Sequence, residues 1–319
     1  MKIVIAPDSF KETLSASEVA NAIEAGFLEF FPSAEILKLP IADGGEGTVD
    51  VLVSATEGSY FSTNISGPMG EVVSARWGML GDSKTAVIEV AEACGLHLVS
   101  VTKRNPMLAS SHGVGELILA AVDEGAEHII IGLGGSSSND GGMGFLQAIG
   151  VRFLDISGNQ LRGDVSSLSS LSDIDLSYMD PRLKRISFEV ACDVDNPLVG
   201  PQGASAIFAS QKGANSEMIA QLDANLTRYS DILTSTIKKD VSEVPGSGAA
   251  GGIGSAFLAF LNAELKSGIN IVLDAIDFEH HIKGADLVIT GEGRFDSQSI
   301  RGKAPIGVAK YAKRNRCLV

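Results

Sequence analysis

The sequence predicts an α/β fold in two domains, one inserted in the other. Three observations carry that prediction. The chain has 319 residues, more than one typical hydrophobic core holds. Residues 2–39 read strand, helix, strand, the pattern of a βαβ unit with a parallel pair. Short apolar runs then recur along the chain, and several open into loops of Gly and polar residues. No internal repeat and no low-complexity linker marks a simple boundary between consecutive domains.

The elements follow in order. Lys2 to Ala6 is an apolar run of buried-strand length. Ser15 and Glu18 fit a capping box, with Ser15 at the N-cap. The helix behind it repeats Val19, Ile23, Phe27 and Phe30 at helical spacing and stops at Pro32. Glu35 to Leu39 is the second strand. Thr48 to Ala55 reads as a helix, and Tyr60 to Ser66, Val72 to Leu80 and Thr85 to Glu89 as strands. Gly113 to Glu124 is helical, Ile129 to Ile131 is a short buried strand, and a helix runs through Ile149. Phe188 to Cys192 is a strand. Met218, Leu222, Leu226, Tyr229 and Leu233 mark a long amphipathic helix. Gly251 to Leu265 is expected as another helix. Leu287 to Ile289 is the last clear strand, Ile306 to Lys313 is helical, and Cys317 to Val319 looks like the start of a strand.

Composition limits the function. Apolar residues make up 45% and charged residues 20%, so a packed core is expected. The net charge is −14, which repels nucleic-acid phosphates and anionic lipid; neither is an expected partner. Cys94, Cys192 and Cys317 are widely spaced and form no CxxC, so reduced thiols and a cytoplasmic location are expected. No apolar segment reaches membrane-spanning length. The 36 glycines, without a collagen period, point to tight loops beside bound ligands.

Four loops leave apolar strands and carry Gly with acidic or amide side chains: Asp8 to Lys11, Asp43 to Gly47, Gly132 to Gly142, and Gly291 to Lys303. Ligands bind outside the carboxyl ends of parallel strands, so these loops would converge on one crevice. Gly132 to Gly142 is the phosphate candidate. Gly134 and Gly135 permit close backbone approach, Ser136, Ser137 and Ser138 bring hydroxyls, and the following helix presents its N-terminus. The plainer reading is a Gly-rich strand–helix turn with Asn139 or Asp140 as a cap. The loop does not match GxxxxGK[ST]. Gly246 to Gly251 fits GxGxxG, but no good strand precedes it, so a tight helix entrance is expected there. Asp43, Glu46, Asp193, Glu292 and Asp296 could hold Mg2+ together with substrate phosphates, or accept a hydroxyl proton. Lys11, Arg294 and Lys303 could clamp a carboxylate or a phosphoryl group, and the planar fork of Arg294 suits a carboxylate. Any one of these charges, taken alone, reads equally well as a cap or a solvated surface group. No histidine arrangement supports a metal site or a Ser/His/Asp triad.

These motifs together resemble the bacterial glycerate kinases. The matching segments are Met1 to Lys11, Ala42 to Thr48, Ile129 to Gly142, Ala191 to Leu198, Pro245 to Gly252, Asp286 to Arg294, Asp296 to Gln298 and Gly302-Lys303. They cover nearly the whole chain in order. The resemblance implies ATP-dependent phosphorylation of D-glycerate with Mg2+, giving 2-phosphoglycerate. It also implies a Rossmann-like domain with a parallel three-layer sheet and a mixed α/β domain, with the site between them. The expected division is 1–62, about 105–150 and about 285–319 for the first domain, and about 63–104 with about 151–284 for the second. By motif match the nucleotide goes to Gly134, Gly135, Ser136, Ser137, Asn139, Asp140 and Gly141. Glycerate goes to Asp43, Arg294 and Asp296; Asp43, Asp193, Asp296, Arg294 and Lys11 form the catalytic set, with Asp43 and Glu46 at the metal. Which of Asp43, Asp193 and Asp296 is the base stays open. A homodimer is among the assemblies left open. Ser137-Ser138 stands where the family often has Ala-Thr. Family chains usually continue past the position of Val319, so a missing terminal strand is expected. That expectation leaves a nucleotide- or phosphate-binding protein without turnover as the alternative. A Rossmann dehydrogenase is disfavoured by the misplaced GxGxxG.

Overall fold

The computed structural model describes residues 1–10, 13–294 and 303–319. The chain opens with β1 (Lys2–Ile5), α1 (Ala16–Phe30) and β2 (Glu35–Lys38), then α2 (Thr48–Ala55). The hairpin of β3 (Ser59–Ser66) and β4 (Val72–Met79) leads to β5 (Thr85–Glu89), which runs straight into α3 (Val90–Cys94). Next come α4 (His112–Asp123), β6 (His128–Gly132), α5 (Met143–Ala148), β7 (Arg152–Leu154), β8 (Asp173–Asp175) and β9 (Ser187–Ala191). The rest is α6 (Ala204–Phe208), α7 (Ser216–Ile237), α8 (Ala249–Phe260), β10 (Glu264–Lys266), α9 (Gly268–Ala275), α10 (Phe278–Ile282), β11 (Leu287–Ile289) and α11 (Ala304–Arg314).

The expected α/β architecture is present as two main sheets. The first has the order β11-β1-β2 and is wholly parallel. Ile3 and Ile5 face α1, while Val4 faces the helices of the C-terminal part, so helices cover both faces. The second sheet has the order β10-β9-β6-β5-β4-β3. Its first four strands are parallel, and the β3–β4 hairpin closes one edge antiparallel. A small β7–β8 ribbon stands apart. The expected grouping put residues 105–150 with the first sheet; β6 instead pairs with β5 and β9 in the second. Its run Ile129-Ile130-Ile131 is apolar on both faces, as a central parallel strand must be, and so gives no clue to which sheet it joins.

That two-faced burial ties the sheets together. Ile129 and Ile131 face the larger cluster with Val114, Phe145 and Phe257. Ile130 and Val87 point the other way, into a cluster that also takes Val4 and Val288 of the first sheet, through Leu52 of α2 and Val272 of α9. The two sheets therefore share a helical layer. Among the described residues, no helix is long and apolar enough to cross a membrane.

Local signals decide several boundaries. Ser15 caps α1 in a full capping box with Glu18, as its spacing predicts. The helix expected from Gly251 to Leu265 ends at Phe260, and β10 begins at Glu264. Residues 250–252 have positive φ, so the entrance to α8 is kinked. Leu318 pairs in parallel with Leu287, the strand start expected at the C-terminal residues.

The cap of α2 comes from far away. Gly47 at its N-cap offers no side chain, and the Glu89 carboxylate accepts from Val49 N at 2.9 Å instead. Glu89 is buried, and burial pushes its carboxyl up to about 7 against the pull of the Val49 N–H. The folded protein thus keeps this proton to about pH 7, whereas the unfolded chain releases it near 4.5. Between those values the unfolded state binds fewer protons, so this group lowers stability as pH rises. Glu89→Gln keeps an acceptor oxygen without the charge. Its stability relative to the parent should therefore grow from pH 4.5 to 7, by on the order of 2–3 kcal/mol. Urea denaturation at several pH values checks this; a pH-independent difference would contradict it.

Candidate active site

The carboxyl ends of the strands of both sheets carry the loops that sequence singled out. The backbones of the Asp43 and Gly132 loops meet at one junction with Ala191 and Gly268. A Cβ on Gly44 would lie 2.4 Å from the Ala191 Cβ, one on Gly132 would lie 2.5 Å from the Gly44 carbonyl oxygen, and one on Gly268 would lie 1.8 Å from that of Asp43. Only Gly allows this approach. The junction fixes Asp43, whose Oδ1 accepts from Gly45 N at 3.3 Å.

Two cavities flank Asp43, each of about 270 Å³. The first lies between Gly44-Gly45, the Gly134–Ser136 segment, Asp193 and Lys212, with Ala249 and Ala250 of the α8 entrance on its wall. The second is lined by Asp8, Ser9, Phe10, Thr13, Glu292, Arg294 and Lys303. Asp43 lines both. Gly134, Gly135 and Ser136 form one side of the first cavity; among the described residues the second holds two cations, Arg294 and Lys303, beside the carboxyl groups of Asp8, Asp43 and Glu292.

Asp193 stands at the lip of the first cavity. Its Oδ1 accepts from Gly268 N at 3.0 Å, at the start of α9. Solvent reaches the side chain, yet crowding by protein is the main cause that raises its carboxyl, to about 6. The Gly268 N–H opposes that rise, the nearby negative charge of Asp43 adds to it, and Lys303 acts against it.

The phosphate-loop candidate divides in two. Gly134, Gly135 and Ser136 line the cavity. Ser137, Asn139, Asp140 and Gly141 do not; they turn into the protein and hold the loop. The Ser137 hydroxyl donates to the Cys94 carbonyl at 2.8 Å, and Asn139 Nδ2 donates to Ser205 Oγ at 3.0 Å. Asp140 is fully buried and accepts from Ser111 N, Ser111 Oγ, Gly142 N and Gly144 N. Burial pushes its carboxyl up, and those hydrogen bonds resist. It clamps the starts of α4 and α5, which is the plainer capping reading of this residue. The GxGxxG segment serves the same loop: Gly141 N donates to the Gly251 carbonyl at 3.0 Å, and a Cβ on Gly251 would lie 2.2 Å from the Ser138 carbonyl oxygen.

Glu46, expected at a metal with Asp43, is exposed and lines a separate hollow with Asp8, Asp50 and Tyr60. Among the described residues, no group of three or more His, Cys, Asp or Glu could hold a metal ion. Lys11 and Asp296 lie outside the described residues. Lys212 was not singled out by its sequence, yet it lies in the wall of the first cavity. Its sole signal is a cation within a stretch of small residues, Gly203 to Ala214, where surface charge is otherwise absent.

Comparison with known proteins gives the family. Residues 3–319 match the model of the family described as "Glycerate kinase family". The chain is 57% identical over 314 residues to the glycerate 2-kinase of Escherichia coli K12, covering 98% of this chain and 82% of that one. It is 56% identical over 313 residues to the glycerate kinase of Bacillus subtilis 168, with the same coverage. A solved crystal structure from Salmonella typhimurium LT2, provisionally named glycerate kinase 2, superposes with a TM-score of 0.95 at 54% identity, covering 99% of this chain and 85% of that one. The chain is thus a kinase, and it belongs to the glycerate kinase family.

Proposed function

We propose that the protein transfers the terminal phosphoryl group of ATP to D-glycerate, giving ADP and 2-phosphoglycerate. One observation carries this reading: two cavities of similar size, one beside the Gly134–Ser136 loop and one holding Arg294 and Lys303, share a single wall residue among those described, Asp43. The names of the relatives from Escherichia coli and Bacillus subtilis support glycerate as the acceptor, and the former supports the 2-position.

The roles follow from position. Backbone N–H groups of Gly134 to Ser136 hold the nucleotide phosphates. Arg294 and Lys303 take the glycerate carboxylate, with Asp296 and Lys11 kept in the set that the resemblance implies. Asp193 accepts the hydroxyl proton, because its carboxyl is raised toward neutrality and faces the phosphate side. Holding both reactants at fixed positions supplies most of what phosphoryl transfer needs from a protein.

Mg2+ fits this arrangement. It needs one or two carboxylates plus substrate phosphates, not a full protein cage. Asp43 and Asp193 repel each other across the first cavity, and that repulsion is what a cation would relieve. When bound there, Mg2+ would neutralise charge on the phosphates.

The test is ATP consumption by purified protein with Mg2+, with and without D-glycerate, the product being identified by phosphorus NMR. Glycerate-dependent ADP with a 2-phosphate ester is expected. Absence of turnover in a folded protein would overturn the reading. In the same assay Arg294→Ala should raise the KM for glycerate by about 10- to 100-fold, the size of a lost charge-assisted contact, with the KM for ATP little changed. Equal effects on both substrates would remove Arg294 from the acceptor side.

A further inference from the structure

Lys212 is a buried cation without an anion. Its side chain is 2% exposed, in a short turn after α6. Nζ donates to Ser136 Oγ at 3.0 Å and to the Ser138 carbonyl at 2.5 Å. Both acceptors are neutral, and no carboxylate of the described residues forms an ion pair with it. Asp140 attracts it through space, but that carboxylate is held by Ser111, Gly142 and Gly144. An ammonium has three N–H donors, so one remains at the cavity wall.

Such an arrangement is costly unless a ligand completes it. A buried charge ordinarily comes paired, and an unpaired one destabilises the fold. Burial accordingly pushes the Lys212 ammonium down to about 8. A residue kept only to pin the loop could do so as a neutral donor. The charge is explained by what the cavity receives.

We infer that Lys212 is a phosphate-binding residue of the active site, held by Ser136 and Ser138 so that its remaining donor and its charge meet the polyphosphate of the nucleotide. The inference rests on the proposed kinase reading. Lys212 and the N–H groups of Gly134 to Ser136 then form one phosphate cradle, with Lys212 its only full positive charge among the described residues lining the first cavity. In a chain of net charge −14, that local cation is what draws a polyanion to the loop.

The experiment is calorimetric titration of the parent protein and Lys212→Met with ATP, ADP, AMP, adenosine and inorganic tripolyphosphate. For the parent, affinity should rise with the number of phosphates, and tripolyphosphate should compete with ATP. Lys212→Met should lose about 10- to 100-fold in ATP affinity and leave adenosine binding unchanged. The first nucleotide in the series to show the loss identifies the phosphate contacted. The unliganded Met variant loses a buried charge but leaves the Ser138 carbonyl without its donor, so ligand affinity and not melting is its readout. Lys212→Gln, which keeps a donor for the Ser138 carbonyl but no charge, should show the same loss and serves if the Met variant folds poorly. A parent protein that binds ATP no better than adenosine would sink the kinase reading itself. A parent that binds ATP well, with both variants unchanged in affinity, would sink only the role of Lys212, as would an equal loss for adenosine and ATP.

Discussion

Replacing Asp193 with Asn is expected to lower kcat by about 100- to 10,000-fold, the range for a lost general base, with the fold intact. The structure gives the reason for both halves. The Asn side chain retains an oxygen for the Gly268 N–H, so the start of α9 keeps its partner. What disappears is the proton acceptor beside the phosphate cavity. The carboxyl of Asp193 sits near 6, raised by crowding and by Asp43. Its ionised form is the one that accepts a proton, so kcat/KM of the parent should rise with pH and then level off, with the rise moving to lower pH as Mg2+ is raised and relieves the repulsion from Asp43. A raised carboxyl also weakens the fold above its usual titration range, so the Asn variant should melt at or slightly above the parent at pH 7. Solvent contact at this residue keeps that gain small. A variant retaining activity within tenfold would transfer the base role to Asp43 or Asp296. Steady-state kinetics between pH 5 and 9 decide the matter.

Most of the element order was legible because period and caps are local signals. The Ser15–Glu18 box, the β5 segment and Leu287 to Ile289 lie where their residues alone put them. The site was legible more coarsely. Strand ends with Gly and Asp predicted one crevice; the structure has two cavities joined by Asp43, with the Gly134–Ser136 segment lining one and Arg294 the other. What sequence could not reveal is direction. Ser136 faces the cavity while Ser137, next in line, turns inward to Cys94, and no pattern in Ser136-Ser137-Ser138 distinguishes them. Asp140 looked like a ligand-binding acid and is a clamp, because its partner Ser111, at the start of α4, lies 29 residues earlier in the chain. Glu89 as a distant cap and Lys212 as a cavity cation depend on contacts 40 and 76 residues apart. Such pairings are set by topology. The same limit explains β6, whose apolar run fits either sheet.

The position of Asp43 depends on a residue without a side chain, and Gly44→Ala should damage both stability and activity. Two costs combine. Gly44 has φ of +87°, a conformation that an L residue adopts at a penalty of about 1–2 kcal/mol. The new Cβ would also sit 2.4 Å from the Ala191 Cβ and 3.0 Å from the Gly268 Cα. Those atoms belong to a strand end and a helix start, so they yield only with backbone movement, typically about 1–3 kcal/mol. A total loss of about 2–5 kcal/mol is expected. Gly47→Ala isolates the second cost: Gly47 also has positive φ, +88°, but nothing lies within 4 Å of a Cβ there. It should lose only the conformational part. The difference between the two variants in urea denaturation measures how tightly the first-sheet loop is pressed against the second sheet. The same junction sets how Asp43 faces both cavities, and a displacement of about 1 Å at a reacting centre costs on the order of 100-fold in rate. Assayed below its melting transition, Gly44→Ala should therefore be slow even when folded, while Gly47→Ala stays close to the parent. Equal stability losses and equal rates in the two variants would mean that the junction has slack and that Asp43 is positioned by something other than the contact between Gly44, Ala191 and Gly268.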